Sequence, residues 1–170
     1  MSALRHKVGP VTAAPLIRPA TPNDFEALLD IRQDVAVDLL ERGIASNPNG
    51  LTREHLAEWT SAGVLRVAVL DGKVVGSVAV WLHDPTDYWP AQDLATYVRD
   101  LMVSPGYHRQ GLGSYLLGWA ERFSVGEGRN RVRLDCEAGN ERLCRYYQEA
   151  GYTYVETDVD GYALFEKVLA

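Results

Sequence analysis

The chain has 170 residues and 46% hydrophobic content, enough for one compact domain with a full core. Its net charge of −6 argues against nucleic acid as the main partner, and no apolar run approaches the length of a membrane-spanning helix. No apolar segment follows the basic residues 1–7, so no signal peptide is read, and two cysteines outside any metal spacing, Cys136 and Cys144, suggest free thiols in a reducing, cytoplasmic setting.

Residues 1–14 lack periodicity and read as a flexible N-terminal tail, leaving residues 15–170 as a single domain. Residues 16–19 form a short strand stopped by Pro19. Thr21-Pro22-Asn23-Asp24 opens a helix whose apolar face is Phe25, Leu28, Leu29, Val35, Leu39 and Leu40, and Gly43 ends it. The same helix carries Asp30, Asp34, Asp38 and Glu41, which suit either a solvated face or an acidic lip for a cationic substrate. A second helix spans residues 51–62 with Thr52 as its cap.

Residues 64–70 and 73–82 are strands joined by the hairpin turn Asp71-Gly72. The aromatic loop 83–90 follows; Trp81, Tyr88 and Trp89 are candidate pocket residues, and His83 beside Asp84 makes no catalytic pair by adjacency alone. After the next strand, which ends at Val103, the chain runs through a glycine loop into a helix over residues 114–123. Residues 131–136 alternate as a half-buried strand, Asn140 caps a helix over 141–150 closed by Gly151, and residues 152–156 and 162–168 are the last two strands.

The junction around residues 101–114 is the most informative stretch. Strand, Ser104-Pro105-Gly106, then His108-Arg109-Gln110-Gly111-Leu112-Gly113-Ser114 and a helix start follow without a spacer. Such a junction aims backbone N–H groups at one spot before a helix N-terminus, where donors and dipole favour an anion. Glycines 111 and 113 allow close approach. A phosphate carrier fits, though two glycines can also serve a plain tight turn. The P-loop pattern is absent, and the third glycine of a dinucleotide fingerprint is missing. Residues 99–145 are the segment with a positive balance, eight arginines against six acids, and arginine suits phosphate.

Three pieces coincide along this order of elements: Val103-x-Pro105-x-Tyr107-His108-Arg109-Gln110-Gly111-Leu112-Gly113, then Asn140, then Tyr146-Tyr147-Gln148-Glu149-Ala150-Gly151-Tyr152. Together they resemble the GNAT superfamily of N-acetyltransferases over about residues 15–169. The loop is similar to the signature [Q/R]-x-x-G-x-[G/A], with His108 where Gln or Arg is usual, and the second segment to N-x6-Y-x3-G-[F/Y].

The resemblance implies an α/β (α+β) acyltransferase fold. Its central sheet would be mixed and mostly antiparallel, with about six or seven strands flanked by about four helices. It also implies acetyl-coenzyme A as donor and an amine, on a small molecule or peptide, as acceptor, with direct transfer in a ternary complex, no metal, and a homodimer left open. In that scheme the backbone of Leu101, Met102 and Val103 pairs with pantetheine. His108, Arg109, Gln110, Gly111, Leu112, Gly113 and Ser114 surround the pyrophosphate; backbone amides carry most of that contact, so His108 in the first position is tolerated. Asn140 orients the cofactor and Tyr147 is the general acid. A base is open between Asp135, Asp100 and water, with Asp135 ahead. A non-catalytic acyl-CoA-binding module of the same fold is the alternative, and Tyr147 at its spacing argues against it.

Overall fold

A computed structural model describes residues 9–86, 88–89 and 94–170. Part of the aromatic loop, at 87 and 90–93, and the first eight residues of the expected tail lie outside the described residues. The described elements are β1 (Leu16–Pro19), α1 (Phe25–Glu41), α2 (Arg53–Ser61), β2 (Leu65–Leu70), β3 (Lys73–Trp81), β4 (Ala95–Val103), α3 (Leu112–Gly126), β5 (Arg131–Glu137), α4 (Glu141–Glu149), β6 (Thr153–Thr157) and β7 (Tyr162–Val168). They form a mixed seven-stranded sheet, in the order β1-β2-β3-β4-β5-β7-β6, flanked by four helices. The element order read from the sequence is the one observed; helix α3 begins two residues earlier than expected, at Leu112.

The described residues group into two compact units, and each has its own packing. The described residues of the first are 9–78 and 101–116. Its entry into α1 is set by an ion pair between half-exposed Arg18 and buried Asp24. The Arg18 guanidinium donates to both Asp24 carboxylate oxygens at 2.8 Å, and the Thr21 N–H donates to the same carboxylate at 2.8 Å. Arg18 first, with the Thr21 bonds, holds the Asp24 carboxyl below the usual range. Helix α2 starts where Thr52 accepts from the His55 N–H at 3.2 Å, the capping expected of that threonine. Arg53 of α2 pairs with Glu26 of α1. Leu28, Leu56, Leu65, Val67, Val75, Val78 and Leu116 are fully buried.

Strands β2 and β3 are joined by Asp71 at φ 48° and Gly72 at φ 74°, the left-handed pair that a two-residue hairpin requires. The acidic stripe of α1 is not uniform. Asp30 and Asp34 are exposed, whereas Asp38 is buried and its carboxylate meets Arg42 at 2.8 Å. Asp38 is therefore a compensated charge inside the unit, which removes it from an acidic lip.

The second unit takes in the described residues of 79–100 together with 117–170. Strands β4 and β5 run parallel over Ala95–Val98 against Arg131–Leu134, and β5 pairs antiparallel with β7 along its whole length. β6 pairs with β7 through an irregularity between Tyr154 and Glu156. Phe165, Leu164, Val132 and Ala120 are fully buried, and with them a polar pair, Thr96 and Ser124, whose hydroxyl oxygens lie 2.5 Å apart. Ser124 also donates to the Ala120 carbonyl at 2.7 Å, so neither hydroxyl is buried without a bond.

One glycine of the first unit has no substitute. A Cβ on Gly76 of β3 would lie 2.5 Å from the Met102 carbonyl oxygen of β4 and 3.2 Å from Leu116 Cδ1. The nearest atom is backbone and cannot rotate away. Gly76→Ala is thus expected to cost about 1–3 kcal/mol, the range for overpacking, and to lower the melting temperature by several degrees in a thermal scan. An unchanged melting temperature would show that β4 yields at no cost.

Candidate active site

The first unit holds the glycine loop. β4 ends with the Ser104 N–H bonded to the Val75 carbonyl at 2.8 Å, and Pro105–Tyr107 makes a single 3-10 turn. Two polar side chains of the loop then fold back on the chain. His108 Nε2 lies 2.8 Å from the Val103 carbonyl oxygen, and Gln110 Oε1 accepts from the Val11 N–H at 2.8 Å. The imidazole that stands in the signature's first position is thus committed to the end of β4.

Between those anchors the backbone is left-handed twice, at Arg109 (φ 61°) and Gly111 (φ 78°). Helix α3 follows at once. The first bond back along it runs from the Tyr115 N–H to the Gly111 carbonyl at 2.9 Å. The N–H groups of Leu112 and Gly113 precede that bond and have no acceptor within the helix. A Cβ built on Gly111 would meet no protein atom within 4 Å, so the space in front of the turn is open to a ligand. Donors, a dipole end and free volume coincide there, which suits a phosphate. Leu101, Met102 and Val103 lead into the same turn; Met102 is buried, and Leu101 and Val103 are half-buried.

The second unit holds Asp135, Asn140 and Tyr147. Asn140 is buried at the start of α4, where its Oδ1 accepts from the Leu143 N–H at 3.1 Å. Its side chain is therefore first of all a helix cap. Tyr147 is 5% exposed and packs among Tyr146, Tyr152 and Phe165, with ring centroids 5.5, 6.1 and 5.8 Å away. Burial, before the neighbouring Cys136, pushes its phenol pKa up, so the phenol keeps its proton throughout the ordinary pH range.

Strand alternation separates Asp135 from Cys136. Cys136 turns to α4, with its Sγ 3.6 Å from that of Cys144. Asp135 instead lines a shallow cleft with Asp84, Trp89, Tyr97, Arg99 and Arg133. Burial in this cleft raises the Asp135 carboxyl pKa; Asp158 and Asp84 push the same way, and Arg99 opposes. A carboxyl that holds its proton more readily than usual is a better base when ionised. Asp100, the other candidate, sits at φ 52°, a left-handed kink within β4.

Other residues here were not legible as site residues. Asp84 is buried, and its carboxylate accepts from the Thr86 N–H at 2.9 Å, the Thr86 hydroxyl at 2.8 Å and the Trp89 N–H at 3.0 Å. The Asp84-Pro85-Thr86 string was the available signal, since such a carboxylate captures backbone N–H groups two or more residues on. Arg133 lies under Trp89, 4.7 Å from the ring centre, and donates to Glu166 at 2.8 Å and to the Tyr97 hydroxyl at 3.2 Å. Arg131 donates to the same Glu166 at 3.0 Å. Two of the arginines behind the positive balance are thus spent on an internal carboxylate. Of the candidate pocket aromatics, Trp89 lines the cleft, Tyr88 stacks on Tyr162 at 5.7 Å, and Trp81 is buried edge-on to His83. Among the described residues no group of three or more His, Cys, Asp or Glu is arranged to hold a metal ion, and no helix is long and apolar enough to cross a membrane.

Comparison with known proteins gives the family and the fold. The family model described as "Acetyltransferase (GNAT) family" matches residues 29–152. The Bacillus subtilis protein named uncharacterized N-acetyltransferase YesJ is 41% identical over 71 residues, 42% of this chain and 39% of its own, so the match spans about two fifths of that relative. An aminoglycoside N(6')-acetyltransferase type 1 from Klebsiella aerogenes is 25% identical over 152 residues, 84% of this chain and 92% of its own. The PaiA N-acetyltransferase of Thermoplasma acidophilum, solved in complex with coenzyme A, shares the fold at a TM-score of 0.75, with 19% identity over 92% of this chain and 99% of its own. With a family match over most of its length, a seven-stranded sheet of the same fold, and the signature loop placed at the head of α3, the chain belongs to the acetyltransferase (GNAT) family.

Proposed function

We propose that the protein moves the acetyl group of acetyl-coenzyme A to an amine carried on a small molecule or peptide, by direct transfer in a ternary complex. The observation that carries this reading is the turn into α3: left-handed backbone at Arg109 and Gly111, first N–H groups of Leu112 and Gly113 that have no acceptor within the helix, and open space at Gly111. Arg109 through Ser114 hold the pyrophosphate mainly through backbone N–H groups, with His108 and Gln110 bracing the loop from behind. Leu101, Met102 and Val103 offer backbone to the pantetheine arm. A relative named for aminoglycoside acetylation supports an amine acceptor as a class. The work is set in the cytoplasm.

Acetyl-coenzyme A supplies an activated thioester; the chain's own residues manage protons. The amine must reach the carbonyl carbon neutral, so a group must take its proton, and the sulfur that departs must gain one. Asp135, ionised in its cleft, takes the first. Tyr147, kept protonated by burial, gives the second. The two lie on opposite sides of β5's alternation, Asp135 toward the cleft and Cys136, next to Tyr147's helix, away from it.

Three measurements test the reading. Gly111→Val puts a β-branched residue at φ 78°, a conformation it rejects, so the rise in melting temperature that acetyl-CoA gives the parent should vanish while the unliganded protein still melts cooperatively. Parent-like stabilisation in the variant would remove the loop as the cofactor site. Tyr147→Phe keeps the ring packing and deletes the proton; turnover should fall roughly 10²–10⁴-fold with the acetyl-CoA dissociation constant unchanged. If turnover persists with chemistry rate-limiting, the proton comes from elsewhere.

The third concerns Asp135 and has a stability arm. Because its folded-state pKa is raised, Asp135 favours the fold at low pH, below its unfolded pKa, and that contribution is lost as pH rises through the folded value. Asp135→Asn should therefore match or exceed the parent's melting temperature at neutral pH. Its turnover should drop by roughly 10²-fold or more, and the acid limb of kcat/KM should disappear. An unaltered pH–rate profile would assign proton removal to water.

A further inference from the structure

Two thiols eight residues apart in the sequence meet in the fold. Cys136 is buried near the end of β5, Cys144 is half-exposed in α4, and their Sγ atoms lie 3.6 Å apart, both unoxidised. Both backbones are held in place. β5 pairs with β7 through Cys136, and the Cys144 N–H donates to the Asn140 carbonyl at 3.0 Å, in the turn that Asn140 caps. The Cys144 thiol also lies 4.0 Å from the carbonyls of Glu137 and Ala138. Tyr147 follows Cys144 by three residues, on the same face of the helix. Two small sulfurs in contact, one buried and one half-exposed, also suit plain packing. Their place argues for more, because the ring they would close contains Asn140 and its far end is the helix of Tyr147.

The geometry points to Cys136 and Cys144 as a site of reversible disulfide formation, driven by a peroxide, that controls the position of the helix carrying Tyr147. An S–S bond needs the sulfurs at about 2 Å, which a side-chain rotation with slight closure of the 137–140 turn supplies. The order of events follows from exposure. Cys144 meets solvent, whereas burial first, and Cys144 beside it, push the Cys136 thiol pKa up. The Cys144 thiolate attacks one oxygen of hydrogen peroxide; the O–O bond breaks, leaving a sulfenic acid on Cys144 and hydroxide. Cys136 Sγ then attacks that sulfur, the S–O bond breaks, and the departing hydroxide takes the Cys136 proton and leaves as water. Two thiols and one peroxide give one disulfide and two waters, with sulfur oxidised and peroxide reduced by two electrons. A thiol reductant reverses the bond by exchange.

Formation of the bond stands by itself; its consequence for turnover rests on the function proposed above. The full chain is reduced, exposed to graded hydrogen peroxide, alkylated and mapped by peptide mass spectrometry, with acetyl transfer measured before and after dithiothreitol. Expected is a linked Cys136–Cys144 peptide lacking two hydrogens. Turnover should drop roughly ten- to hundredfold, the scale on which a misplaced catalytic group acts, and dithiothreitol should restore it. Cys144→Ser, at a half-exposed position, should keep the parent's turnover and lose the response. Oxygen adducts on Cys144 with Cys136 still open to alkylation would overturn the proposal, as would a linked protein with unaltered turnover. If the reduced parent transfers acetyl to no amine, the functional reading fails alone, and the linked peptide still decides the thiol site.

Discussion

Left-handed backbone at the turn between β4 and α3 is the constraint on which the rest of the first unit depends. A residue other than glycine at φ 61° costs on the order of 1 kcal/mol or more, and Arg109 holds that value because its neighbours are pinned. His108 is tied to the end of β4 and Gln110 to the N-terminal segment at Val11. The strain is local and its return is direction. With φ positive at 109 and again at Gly111, the chain reverses tightly enough for α3 to begin at Leu112, its first N–H groups turned toward the turn and away from the helix. Leu116 of α3 then packs against β3 at Gly76, the position that leaves no room for a Cβ beside the Met102 carbonyl. Close strand packing and a turn whose geometry suits an anion are two results of one arrangement.

The second unit solves a different problem, which is to keep charged and protonated groups in fixed states. Arg133 is nearly buried, and a buried guanidinium without partners would be costly. Glu166 accepts from it and from Arg131, Tyr97 accepts a further bond, and the Trp89 ring covers the cation's face. Around that fixed charge the backbone N–H groups of Thr86 and Trp89 are held by Asp84's carboxylate. Asp135 is left as the half-buried carboxyl of β5 facing the cleft, and its environment disfavours ionisation. On the opposite face, aromatic packing around Tyr147 holds its phenol protonated. The pleat of a single strand thus turns Asp135 to the cleft and Cys136 to α4.

Much of this was readable in one dimension, because it depends on residues close in sequence. Apolar periodicity gave the helices and strands in their observed order. Turn chemistry placed the Asp71-Gly72 hairpin, and capping placed Thr52 and Asn140 at helix starts. The glycine loop was legible for the same reason, since a strand, a turn and a helix start in succession determine where backbone donors point. The acidic stripe of α1 shows the limit of that method. At 3.6 residues per turn each step of four advances the helix by about 40° beyond a full turn, so Asp38 lies about 80° around from Asp30. That rotation carries it from solvent into the interior, where Arg42 must neutralise it.

Local patterning thus determined the fold class, the order of elements and the loop that suits a phosphate. Tertiary structure alone decided which charges are spent internally and which groups meet. Glu166 reaches Arg131 and Arg133 across more than thirty residues because β5 and β7 pair in one register, Arg133 opposite Glu166. A shift of one residue would have turned those side chains to the other face. Cys136 and Cys144 touch because β5 ends and α4 begins at a fixed angle, which no spacing of two cysteines encodes. Burial and pairing are sums over neighbours distant in sequence, and those sums exist only once the chain has folded.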